Sequence, residues 1–471
     1  MPVRIYSTLT GREDELVPLH PDGVLRMYVC GMTPKFHPHV GHGRVFVAMD
    51  VIRRYLLYRG YKLKHVQNFT DVDDKIIERA AREERAADVT AQAYIDSYFD
   101  VIDHLNVSRA DEYPTVTGYM ERIVEFTAGL VETNHAYASE LGDVWFDVGS
   151  FPDYGKLSRR DLNSQLVAAR KELEPGKRDP RDFALWKRAK EGEPSWPSPW
   201  GRGRPGWHIE CSAMVRETLG DQIDIHGGGA DLIFPHHENE IAQSESLTHA
   251  APFARHWTHV GLVTLAGGDK MAHSAENFTT LASILDKYDP LAVRFFLVAT
   301  HYRSSLTFAV EEASNGAIAV RGIEDARSAI ARLRRALGDE PLAADGPLDL
   351  DNRSVEAFTD AMDNDFNTPD ALAVIFDLAR EINTRRSAGD DTERQRRTLV
   401  HLLDVLGLDI RTEAPADLRA IDPYVDLLLD VRGKLRDVKQ WALADEIRTR
   451  LGDLGVTVED RPGGESSWRL T

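Results

Sequence analysis

The sequence contains only two cysteines, Cys30 and Cys211, in 471 residues. Two cysteines so far apart do not make a disulfide framework, so a reducing cytoplasm is the expected setting. No run of about 18 apolar residues occurs, and no membrane-spanning helix is expected. The first residues also lack the apolar segment of a secretory signal.

Positive charge is scarce as well. The chain has 57 lysines and arginines against 76 aspartates and glutamates, which gives a formal net charge of −19. This balance argues against indiscriminate binding of nucleic acid, although local basic patches could still hold such a partner. The remaining composition, 42% hydrophobic and 28% charged, is that of a soluble globular protein. The length exceeds what one hydrophobic core supports, so several domains are expected.

Strand and helix patterns alternate in the first part of the chain. Residues 25–29 read as a buried strand, a helical pattern continues from Gly43, and residues 61–66 read as a second strand before another helix. This order predicts a parallel sheet with right-handed crossovers. Ligands of such sheets bind beyond the carboxyl ends of the strands. The residues expected at those ends are Cys30, His39, His42 and Thr70.

The segment 226–240 holds three glycines, three histidines and two glutamates. Without Cβ atoms, the backbone at residues 227–229 can approach a ligand closely. A short apolar run follows at residues 232–234, and Pro235 suits the first turn of a new helix. The segment therefore predicts a ligand-facing backbone followed by a helix that carries polar side chains.

Two side chains of that helix could hold a metal. His236 and Glu240 are four residues apart and project from one face, whereas His237 and Glu238 are expected to point elsewhere. An imidazole and a carboxylate at this spacing can share a zinc ion, and the two cysteines could complete a four-ligand site. The competing interpretation is a solvated helix face with two buried, inert thiols.

Residues 115–205 read as an insertion. Within it, Trp186, Trp196 and Trp200 lie among lysines and arginines, and they could stack on nucleic acid or pack a small subdomain. The sheet pattern is expected to resume at residues 207–211. Further along, Lys270 lies in a loop of the kind that closes over phosphates.

The last part of the chain is mostly helical. Residues 338–349 and 412–423 read as linkers because they are polar or rich in proline. Residues 424–454 read as a pair of helices, followed by a short strand at 455–458 and a tail.

Taken in order, these segments resemble a cysteinyl-tRNA synthetase, a class I aminoacyl-tRNA synthetase. The resemblance runs essentially from end to end, and its motifs are long and specific. The matching motifs are Cys30-Gly31, 39–42 (His-Val-Gly-His for the family's His-Ile-Gly-His), 68–75, 195–200, 206–212, 226–240, 361–369 and 441–445.

The resemblance implies an α/β fold: a Rossmann-type class I catalytic domain with an insertion, followed by a helical bundle and a small C-terminal anticodon-binding α/β domain. A monomer in the cytoplasm is expected. The implied domains are the first half of the Rossmann catalytic domain (1–114), the connective insertion (115–205), the second half (206–265), the mobile loop and stem-contact region (266–337), the helical bundle (338–412) and the anticodon-binding domain (413–471).

The family's zinc ligands fall on Cys30, Cys211, His236 and Glu240, with one zinc ion per chain. Zinc favours thiolates, so the substrate's sulfur could bind the metal while serine offers only a poor hydroxyl ligand. Discrimination by a metal–sulfur bond would exceed the roughly 1–3 kcal/mol that one methylene provides. An editing domain would then be unnecessary.

The resemblance also implies two reactions. The carboxylate of L-cysteine attacks the α-phosphate of ATP, supplied with Mg²⁺, to give cysteinyl-adenylate and pyrophosphate. The adenylate then passes cysteine to the terminal ribose of tRNA-Cys. The implied residues are His39, His42, Lys270 and His273 for catalysis; the same four with Gly41 and Gly228 for ATP; Gly31, Thr70, Trp207 and Asp231 for cysteine; and Trp441 and Asp445 for tRNA.

Two motifs depart from the family. Ala272 and His273 stand where the family usually has a serine and the second lysine of Lys-Met-Ser-Lys-Ser. Histidine titrates near about pH 6.5, so we expect His273 to substitute for the lysine and to make adenylation more pH-sensitive. Lys35 and Phe36 stand where the family usually has Tyr-Asp.

Two other functions compete with tRNA charging. A related ligase could form the same adenylate and transfer cysteine to an amino sugar, as in mycothiol synthesis, but such enzymes lack the anticodon-binding end. Here residues 424–471 are present, with Trp441 and Asp445 in matching positions. A structural zinc protein that binds RNA is the non-enzymatic alternative, and the histidine pair and the Lys270 loop argue against it.

Overall fold

The computed structural model describes residues 2–160, 174–265, 279–312, 318–342, 349–411, 422–453, 456–460 and 466–470. The predictions for Lys270, Ala272 and His273 lie outside these residues, as does most of the proposed linker 412–423. None of the described helices is both long enough and apolar enough to cross a membrane. The chain forms two compact units, Met1–Ile410 and Arg411–Thr471.

The elements are numbered in chain order. The α-helices are α1 (Val40–Tyr58), α2 (Asp74–Arg82), α3 (Ala87–His104), α4 (Met120–Glu132), α5 (Trp207–Leu219), α6 (Glu238–Thr248), α7 (Leu281–Leu285), α8 (Pro290–Val298), α9 (Arg321–Leu337), α10 (Asn352–Asp363), α11 (Thr368–Ala388), α12 (Glu393–Val405), α13 (Asp422–Asp437) and α14 (Trp441–Asp453). The strands are β1 (Arg4–Ser7), β2 (Arg12–Glu15), β3 (Val24–Val29), β4 (Lys62–Gln67), β5 (Ala136–Ala138), β6 (Val144–Phe146), β7 (Phe183–Arg188), β8 (Gly203–Pro205), β9 (Ile223–Gly229), β10 (Ala254–Val260), β11 (Val263–Leu265), β12 (Leu306–Phe308), β13 (Val310–Glu312), β14 (Ile318–Val320), β15 (Val456–Asp460) and β16 (Ser466–Leu470).

The predicted parallel sheet is confirmed. Its four strands lie in the order β10-β9-β3-β4, and all three neighbouring pairs are parallel. The chain leaves β3 toward β4 on one side and later returns to β9 on the other side. The carboxyl ends of β3 and β9 therefore meet where the strand order reverses, which is where ligands of such sheets bind. Cys30 directly follows β3, and Gly229 ends β9.

Helix α1 begins at Val40, earlier than the helical pattern from Gly43 indicated, because His39 caps it. A fully buried arginine fixes this helix to the end of α8. The guanidinium of Arg44 donates to the carbonyl oxygens of Thr300 at 2.9 Å and His301 at 2.8 Å, and also to that of Leu297. The carbonyl groups at the end of a helix lack partners within the helix, and Arg44 supplies them.

The insertion contains an antiparallel sheet in the order β5-β6-β7-β8. Trp186 is fully buried in its core, and Trp196 and Trp200 pack against the same cluster. Packing of a subdomain is therefore the correct interpretation of these tryptophans, and stacking of Trp186 on nucleic acid is wrong. Residues 207–211 were expected to be a strand and instead begin α5. A segment of five residues is too short to distinguish the periodicity of a helix from that of a strand.

Helices α9 to α12 share one hydrophobic core with the parallel sheet, through residues such as Ile330, Phe358, Ile375 and Leu403. The second unit has a small core of its own, made by Val425, Leu451, Val456 and Val458. In that unit β15 and β16 pair in antiparallel orientation. Most of the segment expected to be a tail is therefore strand β16.

Candidate active site

A cavity of about 400 Å³ opens at the carboxyl ends of β3 and β9. The segment that follows β3, the start of α1, and the ends of β9 and β10 line it. Two further residues of the wall are Lys75, from the start of α2, and Trp207, from the start of α5. The candidate site residues named from the sequence that line the cavity are Cys30, Gly31, His39, Gly41, His42, Trp207 and Asp231. Lys35 and Phe36, where the first motif departs from the family, line it as well.

His39 and His42 cap helix α1 reciprocally. The Nδ1 atom of each ring accepts the backbone N–H of the other residue at 3.3 Å, and the rings stack with centroids 3.9 Å apart. Because Nδ1 accepts, the proton of each neutral ring lies on Nε2, which can donate to an anion. The first turn of α1 contains no acidic residue, so its N-terminal dipole is available for phosphate.

Two glycines in this region serve different purposes. A Cβ atom on Gly31 would lie 1.7 Å from the carbonyl oxygen of Asn68, so only glycine lets these two backbone segments pass. A Cβ atom on Gly228 would lie 2.9 Å from Leu232 and 3.0 Å from the His237 ring. Gly228 therefore makes room for the protein's own side chains, while Gly229 lines the cavity.

Cys30, Cys211, His236 and Glu240 meet beside the cavity. The two Sγ atoms are 3.8 Å apart, and Oε1 of Glu240 lies 3.5 Å from Sγ of Cys30 and 3.1 Å from Nε2 of His236. All four side chains are buried, and their ligand atoms lie within 4.8 Å of one another. The strand end after β3, helix α5, and the segment 236–240 thus supply one compact donor set.

The charges in this cluster balance one another. Burial alone would raise the pKa of Glu240, but His226 and His236 outweigh it and lower the pKa to about 2. Burial alone would lower the pKa of His236, but Glu240 and Cys211 outweigh it and raise the pKa to about 10. The hydrogen bond from Cys30 lowers the pKa of Cys211 to about 6, whereas burial raises the pKa of Cys30. A metal ion would take the place of the protons that this cluster otherwise retains.

A second group of four overlaps with the first. Cys30, His226, His237 and Glu240 also have ligand atoms within 4.8 Å of one another. Nε2 of His226 lies 2.9 Å from Oε2 of Glu240, and Nε2 of His237 lies 3.4 Å from Sγ of Cys30. His226 was not predicted as a ligand from the sequence, although it is two residues from Gly228 on β9 and therefore faces the same side of the sheet.

The expectation that His237 points elsewhere is wrong. Residues Ile233–His237 form one wide turn before α6, with an extended backbone at Phe234. This turn shifts the helical phase, so His236 and His237 both reach the cluster. The expectation for Glu238 holds, because its carboxylate accepts backbone N–H groups of the insertion, from Gly155 at 2.9 Å and Ser158 at 2.7 Å.

Neighbouring rings hold the histidines in place. Nδ1 of His236 lies 2.9 Å from Nδ1 of His208, and Trp207 stacks on His236 with centroids 4.4 Å apart. Nδ1 of His237 lies 2.8 Å from Nε2 of His259. Such contacts to the second ring nitrogen fix the orientation that a ligating imidazole needs.

The other residues named from the sequence lie in varied surroundings. Thr70 is buried, is not among the residues that line the cavity, and donates to Oε2 of Glu210 at 3.1 Å. Burial raises the pKa of Glu210, which was not singled out from the sequence. Trp441 is the first residue of α14 and is 55% exposed, so it is not a buried helix tryptophan. Asp445 is exposed on the same helix.

Three family models match successive parts of the chain. They are the tRNA synthetases class I (C) catalytic domain at residues 15–317, the DALR domain at residues 357–411, and the Cysteinyl-tRNA ligase anticodon binding domain at residues 418–469. The first of these alone covers more than half of the chain.

Curated relatives match over the full length. The cysteine–tRNA ligase of Dehalococcoides mccartyi is 45% identical over 469 residues, covering 99% of this chain and 100% of the relative. The cysteine–tRNA ligase of Sodalis glossinidius is 45% identical over 472 residues, covering 99% of each chain. Among solved structures, Mycobacterium tuberculosis methionyl-tRNA synthetase in complex with methionyl-adenylate matches with a TM-score of 0.57 at 15% identity, over 82% of this chain and 90% of that one. A likeness at that identity concerns the fold alone, which is that of a class I synthetase.

Proposed function

We propose, since this chain belongs to the cysteine–tRNA ligase family, that it selects cysteine with one zinc ion held by Cys30, Cys211, His236 and Glu240. The supporting observation is that their ligand atoms lie within 4.8 Å of one another and that one of the four residues, Cys30, lines the cavity. Two thiols, an imidazole and a carboxylate form a donor set that suits tetrahedral zinc. Zinc bound there supplies a Lewis-acid centre that the substrate's sulfur can reach as a thiolate.

The choice between the two overlapping groups rests on Cys211. Its Sγ lies 3.8 Å from Sγ of Cys30, and zinc favours two sulfur donors at such a site. A metal held only by Cys30, His226, His237 and Glu240 would leave the sulfur of Cys211 beside the site without a ligand role. His226 then has a supporting role, because it binds Oε2 of Glu240 while Oε1 faces Cys30 and His236. Such contacts from behind orient a ligating carboxylate.

The enzyme joins cysteine to tRNA with ATP, and we assign the first reaction to the cavity. His39 and His42 donate from Nε2 to the triphosphate, and Gly41 lets the nucleotide lie against the backbone. Asp231 binds the ammonium group of cysteine, and Trp207 covers the substrate. These residues place the carboxylate against the α-phosphate, so that catalysis is mainly positioning and charge stabilisation. Lys270 and His273, outside the described residues, remain proposed contacts to the phosphates.

For the second reaction, a hydroxyl group of the terminal ribose attacks the cysteinyl carbonyl and AMP leaves. We propose that Trp441, exposed on α14, stacks on an anticodon base and that Asp445 contacts the tRNA as well. The six-part domain division, a monomeric state and a cytoplasmic location also remain proposals. The amino-sugar ligase is disfavoured, because an anticodon-binding model matches residues 418–469.

Transfer of labelled cysteine from the ATP-activated enzyme to total tRNA tests this function, with serine and an amino-sugar acceptor run in parallel. Charging of tRNA with cysteine but not serine is the expected result. Adenylate formation without tRNA charging, together with transfer to the amino sugar, would contradict the proposed acceptor. Equal charging with serine would contradict selection by a metal–sulfur bond.

A further inference from the structure

A second cavity, of about 380 Å³, adjoins the first and shares part of its wall. Thr33, Lys35, Lys75 and Trp207 line both cavities. The second cavity continues from there toward the insertion, where strand β7 and aromatic side chains line it. Any group bound in the second cavity therefore lies directly beside the substrates of the first.

The lysines of the second cavity differ in their partners. The amino group of Lys187 lies 2.9 Å from a carboxylate oxygen of Asp74, and that of Lys177 lies 3.6 Å from Glu174. Lys35 and Lys75 are instead close to one another, and the amino group of Lys35 also lies 5.2 Å from the centroid of the Phe36 ring. Neither lysine forms an ion pair with any residue that the structure describes. The four lysines that line this cavity outnumber its three carboxyl groups, which belong to Asp73, Glu174 and Asp182. Two adjacent ammonium groups in such a cavity favour the binding of an anion.

The surroundings of Lys35 support this interpretation. Burial, followed by the charge of Lys75, lowers the pKa of Lys35 to about 8, while the nearby Asp73 acts in the opposite direction. The chain as a whole has an excess of 19 negative charges. Two lysines without an ion-pair partner are therefore not explained by an excess of basic residues in the composition. An incoming phosphate would relieve the repulsion between the two lysines.

We propose that Lys35 and Lys75 bind a backbone phosphate at the single-stranded 3′ end of the acceptor RNA, and that the second cavity receives this end. The proposal rests on the proposed function, in which the adenylate fills the first cavity and its phosphates lie at the start of α1. The terminal ribose of the tRNA must then approach the cysteinyl carbonyl of the adenylate from the wall that the two cavities share. Trp207 at that wall is 38% exposed and Phe183 further along is half-buried, so these two side chains leave aromatic surface on which unpaired bases can stack.

This assignment gives the departure at Lys35 a physical meaning. Lys75 lies in a motif shared with the family, whereas Lys35 adds a positive charge where the family usually has a tyrosine. The added charge lies four residues before His39, at the boundary between the two cavities. We therefore expect it to act on the acceptor's phosphate and not on the triphosphate of ATP.

The test compares Lys35→Met and Lys75→Met with Lys187→Met, which removes the same charge from the same cavity. Asp74 keeps its contact with Arg204 in that control. Two quantities are measured for each variant: ATP–pyrophosphate exchange with cysteine, and kcat/KM for tRNA at several salt concentrations. We expect Lys35→Met to lower kcat/KM for tRNA about tenfold and to reduce the slope of log(kcat/KM) against log salt by about 0.7. Exchange should change less than about twofold, and Lys35→Arg should retain charging because arginine keeps its charge.

Two outcomes would overturn the proposal. If exchange fell as far as tRNA charging, the lysines would act on the phosphates of ATP. If charging fell with an unchanged salt slope in both Lys35→Met and Lys35→Gln, the lysines would have a structural role only. Failure of the proposed function is distinguishable from both, because the unaltered enzyme would then not charge tRNA.

Discussion

Two clusters of charged side chains, each with at least one member that lines the first cavity, have opposite arrangements. In the cluster of Cys30, Cys211, His236 and Glu240, each charge has an opposite charge or a hydrogen-bond partner within 3.8 Å. Lys35 and Lys75 form no ion pair with a carboxylate among the described residues, although Asp73 lines the same cavity. In the first cluster the charges are neutralised by groups of the protein itself. In the second, the positive charge of the two lysines is left for a bound anion to neutralise.

Burial explains this difference. Glu240 is fully buried, and a buried charge is tolerated only when it is paired and hydrogen-bonded. His226 and His236 provide that pairing, so the donor set keeps its geometry before a metal arrives. Lys35 is only half-buried and Lys75 is exposed, so water can solvate them until a phosphate replaces it. The zinc site is therefore a prepared site, since its ligands are already held in place before the ion binds. The lysine pair is an open site, since it is solvated until the substrate's phosphate binds.

The largest effect should come from removing a ligand of the prepared site. We expect Cys211→Ser to lose bound zinc and to lower cysteine-dependent ATP–pyrophosphate exchange roughly 100-fold or more, because even residues that only support a ligand alter metal affinity 10–100-fold. Zinc per chain, measured by mass spectrometry, and the exchange rate check this. Ser212→Ala, next to it on α5, is the matched control and should keep both. A Cys211→Ser enzyme with a full complement of tightly bound zinc would indicate the alternative group around His226.

A smaller effect should follow from removing the support behind Glu240. His226→Gln should weaken zinc binding about 10–100-fold while leaving a site that zinc can still fill. The physical reason is that Oε2 of Glu240 loses the partner 2.9 Å away that orients it. Competition with a chelator measures the affinity, with Cys211→Ser as the reference. Loss of zinc as complete as in Cys211→Ser would make His226 a ligand.

The smallest effect concerns the open site and its pH dependence. Lys35 has a pKa of about 8, set by burial, Lys75 and Asp73, so it loses its proton as the pH rises from 7 to 9. Since kcat/KM reports the free enzyme, its value for tRNA should fall about fivefold over that range, beyond any change in Lys35→Arg. The ratio of the two pH profiles is the measurement. Identical profiles would remove Lys35 from acceptor binding.

Much of this site could be predicted from the sequence. The alternation of strands and helices predicts a parallel sheet, and the sheet places Cys30 and His39 near its carboxyl edge. The spacing of His236 and Glu240 predicts that they share a face. These predictions depend on local periodicity and on one general property of parallel sheets, which a single sequence reveals.

The remaining features depend on side-chain packing between distant segments. His237 reaches the cluster only because the wide turn at Ile233–His237 shifts the phase of the helix. Residues 207–211 are too few to reveal their helical period. Lys35 and Lys75 follow adjacent parallel strands, so their proximity was foreseeable, but the absence of a carboxylate partner was not.

The most direct test of the zinc assignment is X-ray absorption at the zinc edge of the metal-loaded enzyme. Two sulfur ligands at about 2.3 Å are expected from Cys30 and Cys211, with nitrogen and oxygen ligands from His236 and Glu240. Addition of cysteine, but not serine, should raise the number of sulfur ligands to three. A single sulfur ligand in the enzyme without cysteine would contradict the assignment, because only the group with His226 and His237 contains one thiol.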